Sequence, residues 1–216
     1  MKRGILVAWR KHYRILTLWL GVLIATAAAS PVNAAPSPTL LVMGDSLSAA
    51  YNIEREASWV ALLEARLPDD ATVVNASISG ETTSGGAQRL DELLGQHAPD
   101  IVLLELGGND GLRGLPPQQM QRNLASMIEA SQAADAEVLL LGIDIPPNYG
   151  EAYREAFTNV YRELADEYDV ELVPFLLEGV ATEDDLMQND GIHPTAEAQP
   201  IILDTVWEAL EDMVAR

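Results

Sequence analysis

The stretch TLLVMGDSLSAAY, residues 39 to 51, joins an apolar run to a glycine, an acid and a serine. Leu40–Met43 carries only apolar side chains, which is typical of a strand buried on both faces of a parallel sheet. Because that strand ends near Gly44, the hydroxyl of Ser46 should lie at the tip of the sheet. Taken alone, the stretch leaves two interpretations open: Ser46 is a nucleophile, or it only caps a helix after a buried strand.

Short apolar runs and longer segments with helical spacing alternate along the chain. Strands are predicted at Leu40–Met43, Thr72–Asn75, Ile101–Glu105, Glu137–Ile143 and Glu171–Pro174. Helices are predicted at Trp59–Leu67, Ala87–His97, Gln118–Ala133, Tyr153–Tyr168 and most of Ala196–Val214. This alternation predicts a right-handed, doubly wound three-layer α/β/α sandwich around a parallel sheet of about five strands. No repeat, linker or low-complexity stretch interrupts the pattern, which indicates one domain.

Residues 1 to 34 form a different kind of sequence. A basic start without any acid precedes the apolar run Ile15–Ala29, and Val32–Ala34 fits a small-residue cleavage site. This pattern predicts a secretory signal peptide, because the apolar run is short for a membrane span; an uncleaved anchor stays open as an alternative. We therefore expect a periplasmic or secreted bacterial protein with one domain over residues 35 to 216 and no stable membrane anchor after cleavage.

Composition limits the partners of the exported chain. Without residues 1 to 34 the chain has eight arginines, no lysine and 33 acidic residues, a net charge of −25. Such a surface repels nucleic acid and anionic membranes, so neither is an expected partner, and we expect a monomer. The chain has no cysteine, which excludes disulfides, thiol catalysis and thiolate metal sites.

Ser46 needs a base, because a serine hydroxyl is a poor nucleophile until its proton is removed. Outside the predicted signal peptide the only histidines are His97 and His193. His97 lies near the end of a predicted helix, where an imidazole complements the helix terminus, so we interpret it as structural. His193 lies in a loop between a glycine and a proline, and Asp190 three residues earlier can accept from its Nδ1–H. Ser46, His193 and Asp190 are therefore the candidate catalytic residues.

Acyl transfer also needs donors for the negative oxygen of the tetrahedral intermediate. The candidates are the Ser46 backbone N–H at the start of a helix, the Gly80 backbone N–H and the Asn109 side-chain amide. Each residue alone has a simpler interpretation, as a turn glycine or an Asx turn. All of them follow predicted strands, however, and the carboxyl ends of parallel strands meet at one edge of a sheet. Together they predict an acyl-transfer site at that edge.

Four blocks of the chain resemble those of the SGNH, or GDSL, hydrolases. They are Gly44–Leu47 (GDSL), Gly80 after NASIS, Gly107–Asp110 (GGND) and Asp190–Pro194 (DGIHP). The segments LGGNDGLRG, NASISGET and MQNDGIHP are similar to a bacterial periplasmic branch of that family, the acyl-CoA thioesterase I, protease I, lysophospholipase and arylesterase branch. The resemblance implies the flavodoxin-like SGNH hydrolase fold over residues 35 to 216.

The same resemblance implies a serine hydrolase that cleaves small carboxylic esters and acyl-thioesters through an acyl-enzyme intermediate, without a metal or another cofactor. It assigns Ser46 as nucleophile, His193 as base and Asp190 as the acid that orients the base. It assigns Ser46, Gly80 and Asn109 as oxyanion donors. It also implies a mobile loop over the acyl site at residues 111 to 116.

The substrate pocket should be lined by side chains from the loops that follow the strands. The candidates by loop position are Leu47, Leu112, Leu115, Asp144, Ile145 and Tyr149. Asp144 stands where the similar branch tends to have a basic residue. Its carboxylate therefore predicts poor acceptance of anionic head groups such as those of acyl-CoA and phospholipids.

Three alternative functions use parts of the same pattern. A carbohydrate-ester deacetylase would use the same machinery, although an apolar pocket would favour acyl chains over sugars. A non-catalytic periplasmic binding protein would not need the nucleophile, base and donors that this chain retains. A metal-dependent phosphoesterase would need several histidines and carboxylates at the site, and only His193 is placed for that role.

Overall fold

The computed structural model describes residues 37–67 and 71–216. The signal peptide predicted at residues 1–34 lies outside the described residues. Within the described ranges, no helix is both long enough and apolar enough to cross a membrane.

A five-stranded parallel sheet forms the centre of the fold. Its strands are β1 (Thr39–Gly44), β2 (Thr72–Asn75), β3 (Ile101–Glu105), β4 (Glu137–Leu141) and β5 (Glu171–Val173), in the order β2-β1-β3-β4-β5. Every residue of β3 is buried, as is nearly all of β1 and β4, because helices cover both faces of the sheet. The predicted parallel sheet is confirmed, and β4 ends two residues earlier than expected. The backbone segments that follow β4 and β5 approach closely at that point, since a Cβ on Gly142 would lie 2.3 Å from the Pro174 carbonyl oxygen.

Six helices surround the sheet in the described part of the chain. They are α1 (Trp59–Arg66), α2 (Thr83–His97), α3 (Gly108–Leu112), α4 (Pro117–Ala133), α5 (Glu151–Tyr168) and α6 (Gln199–Val214). Helices α1 and α6 pack together, and α4 packs between α2 and α5, which gives the predicted layers. Helix α2 begins four residues before the predicted start, because the Thr82 side chain accepts from the Gly85 N–H and caps it.

The strand order reverses at β1, which lies between β2 and β3. Open parallel sheets bind ligands outside the carboxyl ends of their strands at such a reversal, so the site should lie after β1 and β3. The helix expected to start at Ser46 is absent there, and residues 46 to 52 form turns instead. Ala50 and Asn52 have positive φ values of 57° and 55°, which no right-handed helix can contain. The interpretation of Ser46 as a helix cap is therefore wrong.

Candidate active site

The side chains of Ser46, His193 and Asp190 form a continuous hydrogen-bonded row. His193 Nε2 lies 2.8 Å from Ser46 Oγ, and His193 Nδ1 lies 2.8 Å from Asp190 Oδ2. Because an ionised carboxylate only accepts, Nδ1–H donates to Asp190, and Nε2 is left to accept from the Ser46 hydroxyl. Ser46 belongs to the turn after β1 and His193 to the loop before α6, so folding brings together residues 147 positions apart.

Asp190 is held by its own loop as well as by the imidazole. Its Oδ1 accepts from the backbone N–H groups of Ile192 and His193 at 2.9 and 3.0 Å. Partial burial tends to raise the pKa of Asp190, but the hydrogen bonds from His193 and Ile192 outweigh it and lower the pKa from 3.8 to about 2. Asp190 therefore stays ionised at neutral pH and keeps the imidazole oriented.

The turn that carries Ser46 rests on a buried carboxyl group. Glu105, the last residue of β3, is fully buried, and its Oε2 accepts from the Asp45 N–H at 3.1 Å and the Ser48 hydroxyl at 2.7 Å. Burial raises the pKa of Glu105 well above its ordinary 4.5, and the neighbouring Asp45 carboxylate raises it further. Glycine is needed at position 44, because a Cβ there would lie 2.6 Å from the same carboxyl oxygen. Glu105 thus supports the turn from within the core through its Oε2 atom.

Asp45 connects the turn that carries Ser46 to Asn109 on α3. Its Oδ1 accepts from the Leu47 N–H at 3.0 Å, and its Oδ2 accepts from Asn109 Nδ2 at 2.9 Å. An ionised carboxylate accepts hydrogen bonds and donates none, so the Asn109 amide must turn its nitrogen toward Asp45. Asp45 therefore determines which way the Asn109 amide points. An –NH₂ group has two hydrogens, and Asp45 uses one of them. The second is free for the cavity that Asn109 lines.

Gly80 lies at the turn after β2 and has a φ of +80°. No atom lies within 4 Å of a Cβ built at this position, so the backbone conformation is what requires glycine here. The Gly80 carbonyl accepts from Arg113 Nη2 at 2.9 Å, just beyond α3. Asp110 in α3 also accepts from the Thr83 N–H at 2.9 Å and its hydroxyl at 2.6 Å at the start of α2. These contacts tie the Gly80 turn to the segment that carries Asn109.

A cavity of about 460 Å³ opens beside Ser46, within the ordinary size range of small-molecule pockets. Ser46, Asn109 and His193 line it together with four of the residues predicted from loop position: Leu47, Leu112, Asp144 and Ile145. Its apolar walls also include Ile143, Pro146, Pro147, Phe175, Leu177, Ala181, Met187 and Ile192. The cavity can therefore hold an apolar group with its reactive end at the serine.

Two residues predicted to line the pocket do not line it. The Tyr149 hydroxyl donates to the Leu112 carbonyl at 2.8 Å, so this ring supports the segment behind the cavity wall. Leu115 is bound through its backbone, where its carbonyl accepts from the Tyr153 hydroxyl at 2.7 Å. The expected mobile loop at residues 111 to 116 is thus bound by two tyrosine hydroxyls in this structure.

Asp144 lines the cavity as expected, but it is paired with Arg154 of α5. Arg154 Nε donates to Asp144 Oδ1 at 3.0 Å, and Nη2 donates to Oδ2. Both side chains are partly exposed and both line the cavity. Because the pair carries no net charge, the argument that Asp144 repels anionic head groups loses its basis.

Four residues of the site were missed in the sequence. Glu105 interrupts the apolar run IVLLEL, and a carboxylate in a doubly buried strand is a signal that could have identified it. Arg154 lies ten residues after Asp144, and only the fold brings the two together. Asp45 belongs to the GDSL block, and nothing in the sequence indicates its contact with Asn109. Tyr51, whose ring lies 4.2 Å from that of His193, has no sequence signal.

Comparison with known proteins shows extensive similarity. The model of the GDSL-like lipase/acylhydrolase family matches residues 42–200. Esterase TesA of Pseudomonas aeruginosa is 53% identical over 183 residues, which cover 83% of this chain and 91% of that protein. Thioesterase 1/protease 1/lysophospholipase L1 of Escherichia coli K12 is 50% identical over 182 residues, 84% and 88% of the two chains. The crystal structure of the psychrotrophic esterase EstA from Pseudoalteromonas sp., inhibited by monoethylphosphonate, has a TM-score of 0.79 at 43% identity and covers 83% of this chain and all of its own.

Proposed function

Because the chain belongs to the GDSL-like lipase/acylhydrolase family and is thus a hydrolase acting on ester bonds, we propose that it cleaves small carboxylic esters and acyl-thioesters with Ser46 as nucleophile. The observation that carries this proposal is the row Ser46–His193–Asp190, with both distances at 2.8 Å, opening on a largely apolar cavity. The relatives named esterase and thioesterase support both kinds of acyl substrate.

The proposed mechanism has two acyl-transfer steps. His193 Nε2 takes the Ser46 proton as Oγ attacks the acyl carbon, and Asp190 stabilises the imidazolium that forms. His193 then gives the proton to the leaving alcohol or thiol, and an acyl-enzyme remains on Ser46. Water repeats the sequence with His193 as base, which releases the acid and restores the serine.

The oxyanion is held by donors from three loops in this proposal. They are the second hydrogen of the Asn109 amide and the backbone N–H groups of Gly80 and Ser46. Asn109 is the best supported, because Asp45 fixes the direction of its amide. A preorganised donor of this kind is worth a factor of about 10²–10³ in kcat.

The cavity favours an acyl group over a sugar. Its walls are mostly aliphatic side chains and prolines, and the polar groups collect at Ser46 and at the Asp144–Arg154 pair. An acetylated carbohydrate would leave its hydroxyls without partners against the apolar wall. The substrate we propose is therefore an ester or thioester with an aliphatic or aryl acyl group.

We propose export and a monomeric state for the mature enzyme. The basic start, the apolar run and the small-residue site within residues 1–34 support removal of a signal peptide and a periplasmic or secreted location. The acidic composition supports a protein that binds neither nucleic acid nor anionic membrane. Amino-terminal sequencing of the exported protein would test the cleavage near Ala35, and light scattering would test the monomer.

The proposed nucleophile is tested by Ser46→Ala on p-nitrophenyl esters of several chain lengths. We expect kcat to fall by about 10⁴-fold or more, because the nucleophile has no substitute, while the melting temperature stays nearly unchanged. An organophosphate should label the wild-type chain once and the variant not at all. Ser84→Ala, on α2, is the matched control and should keep wild-type turnover. Near wild-type activity in Ser46→Ala would contradict the assignment.

A further inference from the structure

The outer face of the His193 imidazole is covered by an aromatic ring. The ring of Tyr51 lies with its centroid 4.2 Å from that of His193, at an interplanar angle of 31°. Tyr51 itself is 40% exposed, one of three large apolar or aromatic side chains exposed to this degree in the described part of the chain. The exposed ring is therefore placed against the base and is not packed into the core.

The backbone around Tyr51 adopts a conformation that presents the ring to His193. Ala50 and Asn52, on either side of it, both have left-handed φ angles, which cost energy in residues other than glycine. The other non-glycine residues with positive φ in the described ranges follow helix ends, where this conformation is common. Among the described residues, Tyr51 alone has such a residue on each side of it.

One glutamine joins the Tyr51 segment to the histidine loop. Gln188 Nε2 donates to the Tyr51 carbonyl at 3.0 Å and to the Pro194 carbonyl at 2.9 Å, which uses both hydrogens of its amide. The Gln188 backbone N–H donates to the His193 carbonyl at 2.8 Å. Gln188 therefore links the backbone of Tyr51 to the backbone of the His193 loop and fixes the distance between the two residues.

The tilted Tyr51 ring faces a group that gains charge during the reaction. His193 is neutral when Ser46 is a hydroxyl and becomes an imidazolium when it takes the serine proton. A cation within about 6 Å of an aromatic centroid is attracted to the face of the ring, whereas a neutral imidazole gains much less. An interaction that strengthens as the transition state forms raises kcat and leaves substrate binding unchanged.

We propose that Tyr51 is a positioning residue that holds the His193 imidazole in line with Ser46 and stabilises its imidazolium through the face of the phenol ring. This inference rests on the proposed function, because it assigns the ring to the same general base. It extends that function by explaining the exposed aromatic side chain, the two left-handed residues and the Gln188 hydrogen bonds together.

The test compares Tyr51→Phe, Tyr51→Trp and Tyr51→Leu on two esters with one acyl group, p-nitrophenyl butyrate and ethyl butyrate. We expect Phe and Trp to stay within about twofold of wild type, because each keeps an aromatic face. Leu should lower kcat by about threefold to tenfold on both esters, with KM changed less than about twofold. Tyr168→Leu, at the end of α5, is the matched control and should keep wild-type kcat.

Several outcomes would overturn the proposal. Wild-type kcat in Tyr51→Leu would show that the stacking does not aid the base. A loss in Tyr51→Phe equal to that in Leu would assign the effect to the hydroxyl. A rise of KM for the p-nitrophenyl ester alone would make Tyr51 a contact for the leaving group. Failure of the proposed function is distinct: wild type would then cleave neither ester, or Ser46→Ala would cleave both.

Discussion

Replacing Asp45 with asparagine should make the protein more stable and less active. Burial raises the pKa of Asp45 from 3.8 to about 6, against the opposing hydrogen bonds from Leu47 and Asn109 and the attraction of His193. At about 1.4 kcal/mol per pKa unit, the ionised carboxylate costs about 3 kcal/mol of folding free energy above pH 6. Asp45→Asn removes that cost but also loses one of two accepting oxygens.

The raised pKa of Asp45 determines how the stability difference between variant and wild type changes with pH. The folded-state pKa of Asp45 is raised, so the protonated group contributes stability below pH 4 that is lost as the pH rises through 6. Asp45→Asn has no such loss. The free energy of unfolding of the variant minus that of wild type should therefore increase by about 2–2.5 kcal/mol between pH 4 and pH 7, because the unfolded carboxyl is already more than half ionised at pH 4. Glu105 contributes in the same direction, because the variant also removes the Asp45 charge that raises the pKa of Glu105.

Activity should change in the opposite direction. An asparagine at position 45 has one accepting oxygen in place of two, so it cannot hold both the Leu47 N–H and the Asn109 amide as Asp45 does. The second hydrogen of Asn109 is then no longer aimed at the proposed oxyanion position. The variant also removes a negative charge that attracts the His193 imidazolium. We expect kcat at pH 7.5 to fall by about ten- to a hundredfold, less than the loss from removing an oxyanion donor entirely.

Urea unfolding at pH 4 and 7, with p-nitrophenyl butyrate turnover, measures both effects on the same preparations. Asp91→Asn, at an exposed position of α2, is the control for the loss of one negative charge. If Asp45→Asn changes the free energy of unfolding equally at both pH values, burial does not destabilise the carboxylate. If kcat is unchanged, Asp45 does not orient Asn109.

Four further variants test other parts of the structure. Asn109→Ala should lower kcat by about 10²–10³-fold with little change in KM, and an effect confined to KM would contradict its oxyanion role. Arg154→Gln should leave the charge of Asp144 unpaired and lower kcat/KM for acyl-CoA by about two- to fivefold relative to p-nitrophenyl esters. Asp144→Asn should raise kcat/KM for acyl-CoA relative to the same esters. Equal changes on both substrates would exclude an electrostatic role. Ala98→Gly, at the left-handed end of α2, should raise the free energy of unfolding by about 0.5–1 kcal/mol and leave kcat unchanged, as thermal unfolding and a routine assay would show.

The strands were predictable because burial on both faces produces continuous apolar runs. The predicted bounds of β2 and β3 agree with the structure to the residue. The start of α2 was predicted four residues late, because the capped first turn, Thr83–Gly86, lacks the apolar spacing that identifies a helix. The turns after Ser46 were not predictable, since left-handed Ala50 has no sequence signal comparable to glycine.

The candidate site was predictable where loops after parallel strands had to converge. Ser46, Asn109 and Gly80 follow three strands whose ends meet, so their strand positions alone brought them to one edge. The supporting contacts could not be derived in the same way. Whether Asp144 repels an anion depends on Arg154, and whether Asn109 donates depends on Asp45. The Asp144–Arg154 and Asp45–Asn109 contacts each join side chains from different parts of the fold, and their spacing in the sequence does not predict that they meet.

Nearly half of the residues that line the cavity come from two segments that hold no proposed catalytic residue. Residues 143 to 147 after β4 and residues 175 to 182 after β5 supply nine of its lining side chains. The proposed nucleophile, base and oxyanion donors all lie on other loops. Insertions or exchanges in these two segments can therefore alter acyl-chain preference while leaving the bond-breaking geometry intact. Substrate range and chemistry are consequently separable traits in this fold, open to independent change by evolution or by design.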